Sequence, residues 1–259
     1  MHRRAGRWAL TTTRRERRDF IRRNWLLIVR MTAVWGAVSV FCVLILQLAN
    51  GRVLVPFAVG GFAVSYVWLM ATALNAVDGT YLRRLGGEAE RHVSDDLRRL
   101  RRRGWRIVDH VTFKGRDVDH VLIGPGGVWA VETKRSMVEM RLTPSGIEGL
   151  YSGDPTQQAR RAAKDIRMLL RSDIPDLEVH AAVVLAGPGA PNLPAGRQLI
   201  RNEYGDVLVL TLRDLHRNLD AFDNGERLSS ETVASLASTV DGFVERRDAY
   251  DRRTVVSTK

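Results

Sequence analysis

Three residues in the stretch DHVLIGPGGVWAVETK (residues 119–134) have the types and spacing to do chemistry: Asp119, Glu132 and Lys134. On a strand successive side chains alternate between faces, so Glu132 and Lys134 share a face with Val128 and Ala130, while Val131 and Thr133 take the other. A carboxylate and an ammonium thus emerge from an apolar row, and burying them is costly unless they are paired or hold a metal. GPGG (124–127) is a tight connection that folds one strand back on the next. Asp119, at the start of the first strand, then faces the end of the second, where Glu132 lies. Two hard carboxylate oxygens brought together suit Mg²⁺ or Mn²⁺. Lys134 could orient a water or stabilise negative charge developing on a phosphate. The chain has four lysines against 36 arginines, and the compact, titratable amine suits water chemistry better than a guanidinium.

Elements that must position these groups can be read on both sides. GGEAERHVSDDLRRLRRRGW places Glu90, Val93, Leu97 and Leu100 on one helical face and predicts an amphipathic helix ending at Gly104. Strands are expected at 105–113, 117–124 and 127–134, with a further one at 138–142. A helix over 156–172 starts at Asp154–Pro155. Buried strands at 177–187 and 206–210 follow, then helices near 211–219 and 229–246. The order describes a mixed α/β sandwich.

The net charge of +11 would by itself suggest a polyanionic partner, but its distribution changes that reading. Residues 1–24 carry nine Arg against Glu16 and Asp19, and residues 79–106 carry nine Arg against four acids. Between these basic blocks lie two apolar runs. Residues 25–49 hold one charge, Arg30, and residues 53–77 hold none. At about 1.5 Å per residue each is long enough to cross a hydrocarbon core of about 30 Å. With only Asn50, Gly51 and Arg52 between them, both basic flanks fall on one side, which the positive-inside rule makes the cytoplasm. A buried soluble hairpin and a cleaved signal peptide are the rival readings; the second span and the long leader argue for an uncleaved anchor. A transporter is disfavoured, because two spans without paired intramembrane charges offer no pathway. The single cysteine, Cys42, excludes a disulfide framework and a thiolate metal site. His92, His110, His180 and His216 show no metal spacing, His120 alternates away from Asp119, and GPGG lacks the continuation of a phosphate loop. The Arg run 98–103 could meet a phosphate backbone or anionic lipid.

Four stretches in order, GGEAERHV, DHVLIGPGGV, VETK and DPTQQA, resemble the nuclease-related domain (NERD) family, a branch of the PD-(D/E)xK nuclease superfamily. The resemblance covers roughly residues 86–190. It implies a restriction-endonuclease-like mixed sheet flanked by helices, with Asp119 and Glu132 as metal-binding carboxylates and Lys134 as the catalytic lysine. Glu90 corresponds to the helix glutamate and Gln158 to the glutamine of the following helix, with Gln157 as its neighbour. The family has glycine before that glutamate where this chain has Ala89, so Glu88 stays open as the alternative. The expected organisation is a basic leader (1–24), a transmembrane hairpin (25–77), a nuclease-like domain (78–220) and a C-terminal helix with a polar tail (221–259). The resemblance implies Mg²⁺- or Mn²⁺-dependent hydrolysis of phosphodiester bonds, in DNA ahead of RNA. The alternative is a catalytically silent module that docks nucleic acid or protein at the membrane.

Overall fold

The computed structural model describes residues 18, 21–22, 24–48, 54–77, 80–150, 153–194, 198–201 and 204–257. Most of the basic leader and the connection between the apolar runs lie outside these residues. The chain divides into two compact units, Trp8–Leu85 and Gly86–Lys259.

In the first unit, helices α1 (Trp25–Leu48) and α2 (Val55–Val77) account for the two apolar runs. Both are long and apolar enough to cross a membrane, and neither has any of its apolar window buried within the protein. Large side chains such as Val34, Phe41, Phe57 and Trp68 stand exposed on them. What joins the helices is sparse: Thr32 Oγ1 and Tyr66 Oη lie 2.5 Å apart, and Trp35 donates Nε1–H to the Phe62 carbonyl. Trp35 also meets the Phe62 ring edge to face. A pair of helices with an apolar exterior and a few internal polar contacts is the pattern expected when lipid, not a protein core, is the solvent.

The second unit is built on a six-stranded mixed sheet in the order β1-β2-β3-β6-β8-β7. Strands β1 (Arg106–Phe113), β2 (Arg116–Gly124) and β3 (Gly127–Arg135) form an antiparallel meander; β6 (Val179–Ala186) and β8 (Val207–Thr211) continue it in parallel, and β7 (Gln198–Ile200) closes the edge antiparallel to β8. The crossover from β3 to β6 carries a separate small hairpin, β4 (Arg141–Thr143) with β5 (Gly146–Glu148), and helix α4 (Pro155–Leu170). Helix α3 (Thr80–Leu97) precedes the sheet, while α5 (Leu212–Leu215) and α6 (Ser230–Ser257) follow it.

Both faces of the sheet are covered. On one, Val93 and Leu97 of α3 pack with Trp129, Val131, Leu122, Leu208 and Phe222. On the other, Ala159, Ala162 and Ile166 of α4 and Val233, Leu236 and Val240 of α6 pack with Val121, Ala130, Val183 and Val209. The central strands are therefore continuous apolar runs, as strands buried on two sides must be. The C-terminal helix is part of this core. Asp154 caps α4 by accepting from the Thr156 N–H, and Pro155 occupies the first turn, where no amide partner is lost. The β2–β3 connection is the tight turn expected, closing with Gly124 opposite Gly127. A side chain at Gly124 would meet the Trp105 indole at 2.0 Å, so only glycine fits there.

Several boundaries differ from expectation. The first helix of the sheet unit ends at Leu97, and Arg98–Arg103 continues as a 3₁₀ turn stopped by Gly104 in the left-handed region (φ 82°). The strand expected at 138–142 begins only at Arg141 and belongs to the separate hairpin, because Ser136, Gly189 and Met140 bind residues 136–140 to the loop after β6. A Cβ at Gly189 would lie 1.9 Å from the Val138 carbonyl, which keeps that approach glycine-only. The short edge strand β7 was not foreseen, and the last helix extends eleven residues past 246, to Ser257.

Candidate active site

The β1–β2 ladder contains an irregularity at the centre of the site. Asp109 pairs with His120 and Val111 with Val118, but the intervening pair, His110 with Asp119, is missing, and His110 has φ 59°. Val108 and Val111, three residues apart, reach the same core, as do Val118 and Val121. One residue on each strand is thus taken out of the alternation. A histidine in the left-handed region is uncommon and costs energy that the surrounding packing must supply.

Asp119 is the residue freed on β2. It does not open the strand, as expected, but lies in its interior, since β2 begins at Arg116. The β2–β3 ladder stops at His120–Val131, and beyond it the Thr133 N–H donates to Asp119 Oδ2 at 2.7 Å. The carboxylate side chain thus takes over as acceptor where the backbone ladder ends, and the strands part around it. Glu132 and Lys134 sit on β3 beside this opening, still paired on their other side with Val183 and Leu185 of β6. Glu132 is buried, and Lys134 Nζ lies 2.8 Å from Glu132 Oε1, its side chain mostly withdrawn from solvent.

The acids crowd one another. Burial, then the charges of Glu132 and Glu90, raise the Asp119 carboxyl well above the usual carboxylate range, against the Thr133 N–H and the Lys134 amine, which pull it down. Burial raises Glu90 as well; His120 and Lys134 oppose this, and Glu132 and Asp117 add to it. The structure therefore brings Glu90, Asp119, Glu132 and Lys134 into one electrostatic group. Glu88 is elsewhere: half exposed, it pairs with Arg135 at 3.7 Å. Gln158 lies in the first turn of α4, half-buried, with its amide Nε2 3.5 Å from the Cβ position of Gly153, while Gln157 points to solvent. Carboxylates partly or wholly withdrawn from water that repel each other, with one amine already engaged by Glu132, form an oxygen donor set suited to a hard divalent cation.

His120 is fully buried, on the α3 side of the sheet. Its Nδ1 lies 2.8 Å from Asp109 Oδ1, and Ser94 of α3 donates its hydroxyl to Asp109 Oδ2 at 2.8 Å. Burial alone would raise the Asp109 carboxyl, but the His120 and Ser94 hydrogen bonds and the His120 and Arg98 charges carry it below its usual value. Of these three residues the sequence draws attention to His120 alone, and no spacing marks Ser94 or Asp109.

A second cluster lies toward the opposite end of the β3–β6 ladder. His180, paired in register with Trp129, has Nε2 2.9 Å from Glu226 Oε1 and Nδ1 3.6 Å from Glu178 Oε1. Among the described residues, these are the three acidic or imidazole groups whose ligand atoms gather within 4.8 Å; Glu90, Asp119 and Glu132 are not such a trio. The sequence offered no metal spacing for His180 because one member of its group lies 46 residues away. The Arg run that could meet a phosphate backbone or anionic lipid is partly spent on ion pairs: Arg98 with Asp95 and Asp109, Arg99 with Asp96, and Arg103 with Asp220.

A mixed sheet covered by helices, parting at its centre around two acids followed by a lysine two residues on, is a nuclease-like fold. The family model described as nuclease-related domain (NERD) matches residues 85–186, from just before Glu90 to the last residue of β6, and this segment is similar to that family. The likeness suggests divalent-metal use and nucleic-acid binding, and the two apolar helices suggest membrane association. No curated protein and no solved structure matches the chain.

Proposed function

We propose that this protein is a membrane-tethered, metal-dependent nuclease that hydrolyses phosphodiester bonds, in DNA ahead of RNA. The carrying observation is the partly buried Asp119 carboxyl, raised by its withdrawal from water and then by Glu132 and Glu90, and bound to the β3 backbone where the β2–β3 ladder ends. Asp119 and Glu132 would hold Mg²⁺ or Mn²⁺; Glu90 adds a third carboxylate. A bound divalent ion supplies Lewis-acid stabilisation of phosphate oxygens and makes water more acidic. Lys134, kept against Glu132 at 2.8 Å, presents an amine that can hold a phosphate oxygen or orient the attacking water. Gln158, at the start of α4, would position the same phosphate or water. The basic blocks on either side of α1 and α2 favour a cytoplasmic domain and cytoplasmic termini.

The test uses full-length protein in detergent micelles with linear and circular DNA and with RNA. Divalent-dependent cleavage, abolished by EDTA and by Lys134→Ala, is the expected result; metal-independent cutting, or a Lys134→Ala variant as active as the parent, rejects the reading. A second reading, a silent docking module on the same fold, draws on one observation: the oxygens of Glu90, Asp119 and Glu132 do not gather as a trio within 4.8 Å. A 1:1 Mn²⁺ site by calorimetry, lost in Asp119→Asn, ends that alternative.

A further inference from the structure

His120 makes a demanding arrangement. Its side chain has no solvent exposure, its Nδ1 is fixed by Asp109, and its Nε2 is buried with no partner in the protein. A buried ring nitrogen left without a hydrogen bond is costly, and the fold does not minimise that cost by using an apolar residue. Asp109 is itself fixed by Ser94 of α3 and, more weakly, by Arg98 of the following 3₁₀ turn at 3.4 Å. The chain Ser94–Asp109–His120 therefore links α3 to β1 and β2 and sets the plane of the imidazole. Glu90 stands on α3 one turn before Ser94, on the same helical face. Among the charged groups acting on Glu90, His120 has the largest effect.

We infer that His120 is a positioning residue for Glu90: clamped at Nδ1 by Asp109, it presents Nε2 to the Glu90 carboxylate through one water, and so holds that carboxylate toward Asp119 and Glu132. The significance of Glu90 to catalysis rests on the nuclease reading; the water-bridged arrangement itself does not. His120 supports a group in the site without touching substrate, in the way outer partners orient the groups that bind a metal. It also explains why the ladder irregularity stops short of His120: the Asp109–His120 register pair is kept, next to the missing His110–Asp119 pair.

The experiment separates the two ring nitrogens. His120→Asn retains an amide near Nδ1 for Asp109 and loses Nε2, whereas His120→Gln places an amide near Nε2. Thermal unfolding of full-length protein in detergent and EDTA is measured for His120→Asn, Glu90→Gln and the double variant. The expected result is non-additivity of about 2 °C or more, because groups in contact couple and distant ones do not. Should His120→Asn fail to fold, Asp109→Asn supplies the same cycle with Glu90→Gln, since it removes what orients the ring. Mn²⁺ titration by electron paramagnetic resonance should then show affinity weakened about tenfold in His120→Asn and restored to within about threefold of the parent in His120→Gln. Additive melting shifts, or His120→Asn binding Mn²⁺ like the parent while His120→Gln does not, overturn the inference and leave His120 as a support for Asp109 only. A parent that takes up no Mn²⁺ defeats the nuclease reading alone, because the unfolding cycle is read without metal.

Discussion

Two clusters of acids sit along one pair of strands, and they are built on opposite principles. Near the start of β6, Glu178, His180 and Glu226 converge tightly, yet Glu178 is mostly exposed and each carboxylate faces a ring nitrogen. Farther along the same ladder, Asp119, Glu132 and Glu90 are less tightly gathered but sheltered, and one lysine reaches them. Mutual distance alone would choose the first as the metal site. Solvation argues for the second: in the first cluster Glu178 is screened by solvent and each carboxylate is satisfied by a ring nitrogen, whereas like charges held away from water leave an electrostatic deficit that a cation would relieve. His180 has a plain structural role too, since its ring stacks 4.8 Å from Trp129 and, with Asn224, holds the 224–226 loop to the sheet.

The sharpest way to break this comparison is catalytic. Lys134→Ala and Glu132→Ala should each lower divalent-dependent cleavage by about 10²–10⁴-fold, while His180→Ala stays within about threefold; initial rates on a labelled duplex decide it. Reversal of that order would move the site to the other end of the ladder. Next in size is metal linkage. Saturating Mn²⁺, at about one hundred times its dissociation constant, should stabilise the parent by about 2.7 kcal/mol. Asp119→Asn should abolish the gain and Glu226→Gln should keep it, read as melting temperature with and without EDTA.

A smaller effect follows from the raised Asp119 carboxyl. Because its folded value lies above the unfolded one, the unfolded chain ionises first as pH rises. Metal-free protein therefore loses stability from about pH 4 upward until the folded group has also ionised, and keeps that penalty at neutral pH. Asp119→Asn removes it while leaving an oxygen for the Thr133 N–H. In EDTA, the variant's melting temperature should exceed the parent's increasingly from pH 4 toward 7, and added Mn²⁺ should narrow the gap. A gap that shrinks with rising pH in EDTA contradicts the sheltered-charge account. The smallest effect belongs to the exposed Glu178: Glu178→Gln should change stability by less than about 1 kcal/mol, measured by urea unfolding.

Much of the local structure was legible because it rests on rules of period and punctuation. The GPGG turn, the alternating strand ending in Glu132 and Lys134, the Asp154–Pro155 helix start and the two long apolar helices follow from residue types within a few positions. Glu90 could be favoured over Glu88 by helical phase alone, and their positions differ accordingly, one among the acids and one beside Arg135. Other features had no local signal. Nothing in WRIVDHVTF marks His110 for a left-handed backbone, and the three-residue β7 is too short for a period to register. Val138 reads as the start of a strand, but backbone hydrogen bonds of the flanking Ser136 and Met140 to residues 186–189 leave it in an exposed bend.

The sequence by itself determined which stretches are apolar enough for lipid, which alternate as strands, and that two acids and a lysine ride on one hairpin; each depends on neighbours a few residues apart. The tertiary structure decided that Asp119 leaves the strand alternation, that Glu90 arrives from a separate helix, and that Ser94, Asp109 and His120 form one buried chain behind it. Those outcomes depend on groups far apart in the chain sharing a small volume from which water is excluded, and burial strengthens interactions that no spacing rule encodes.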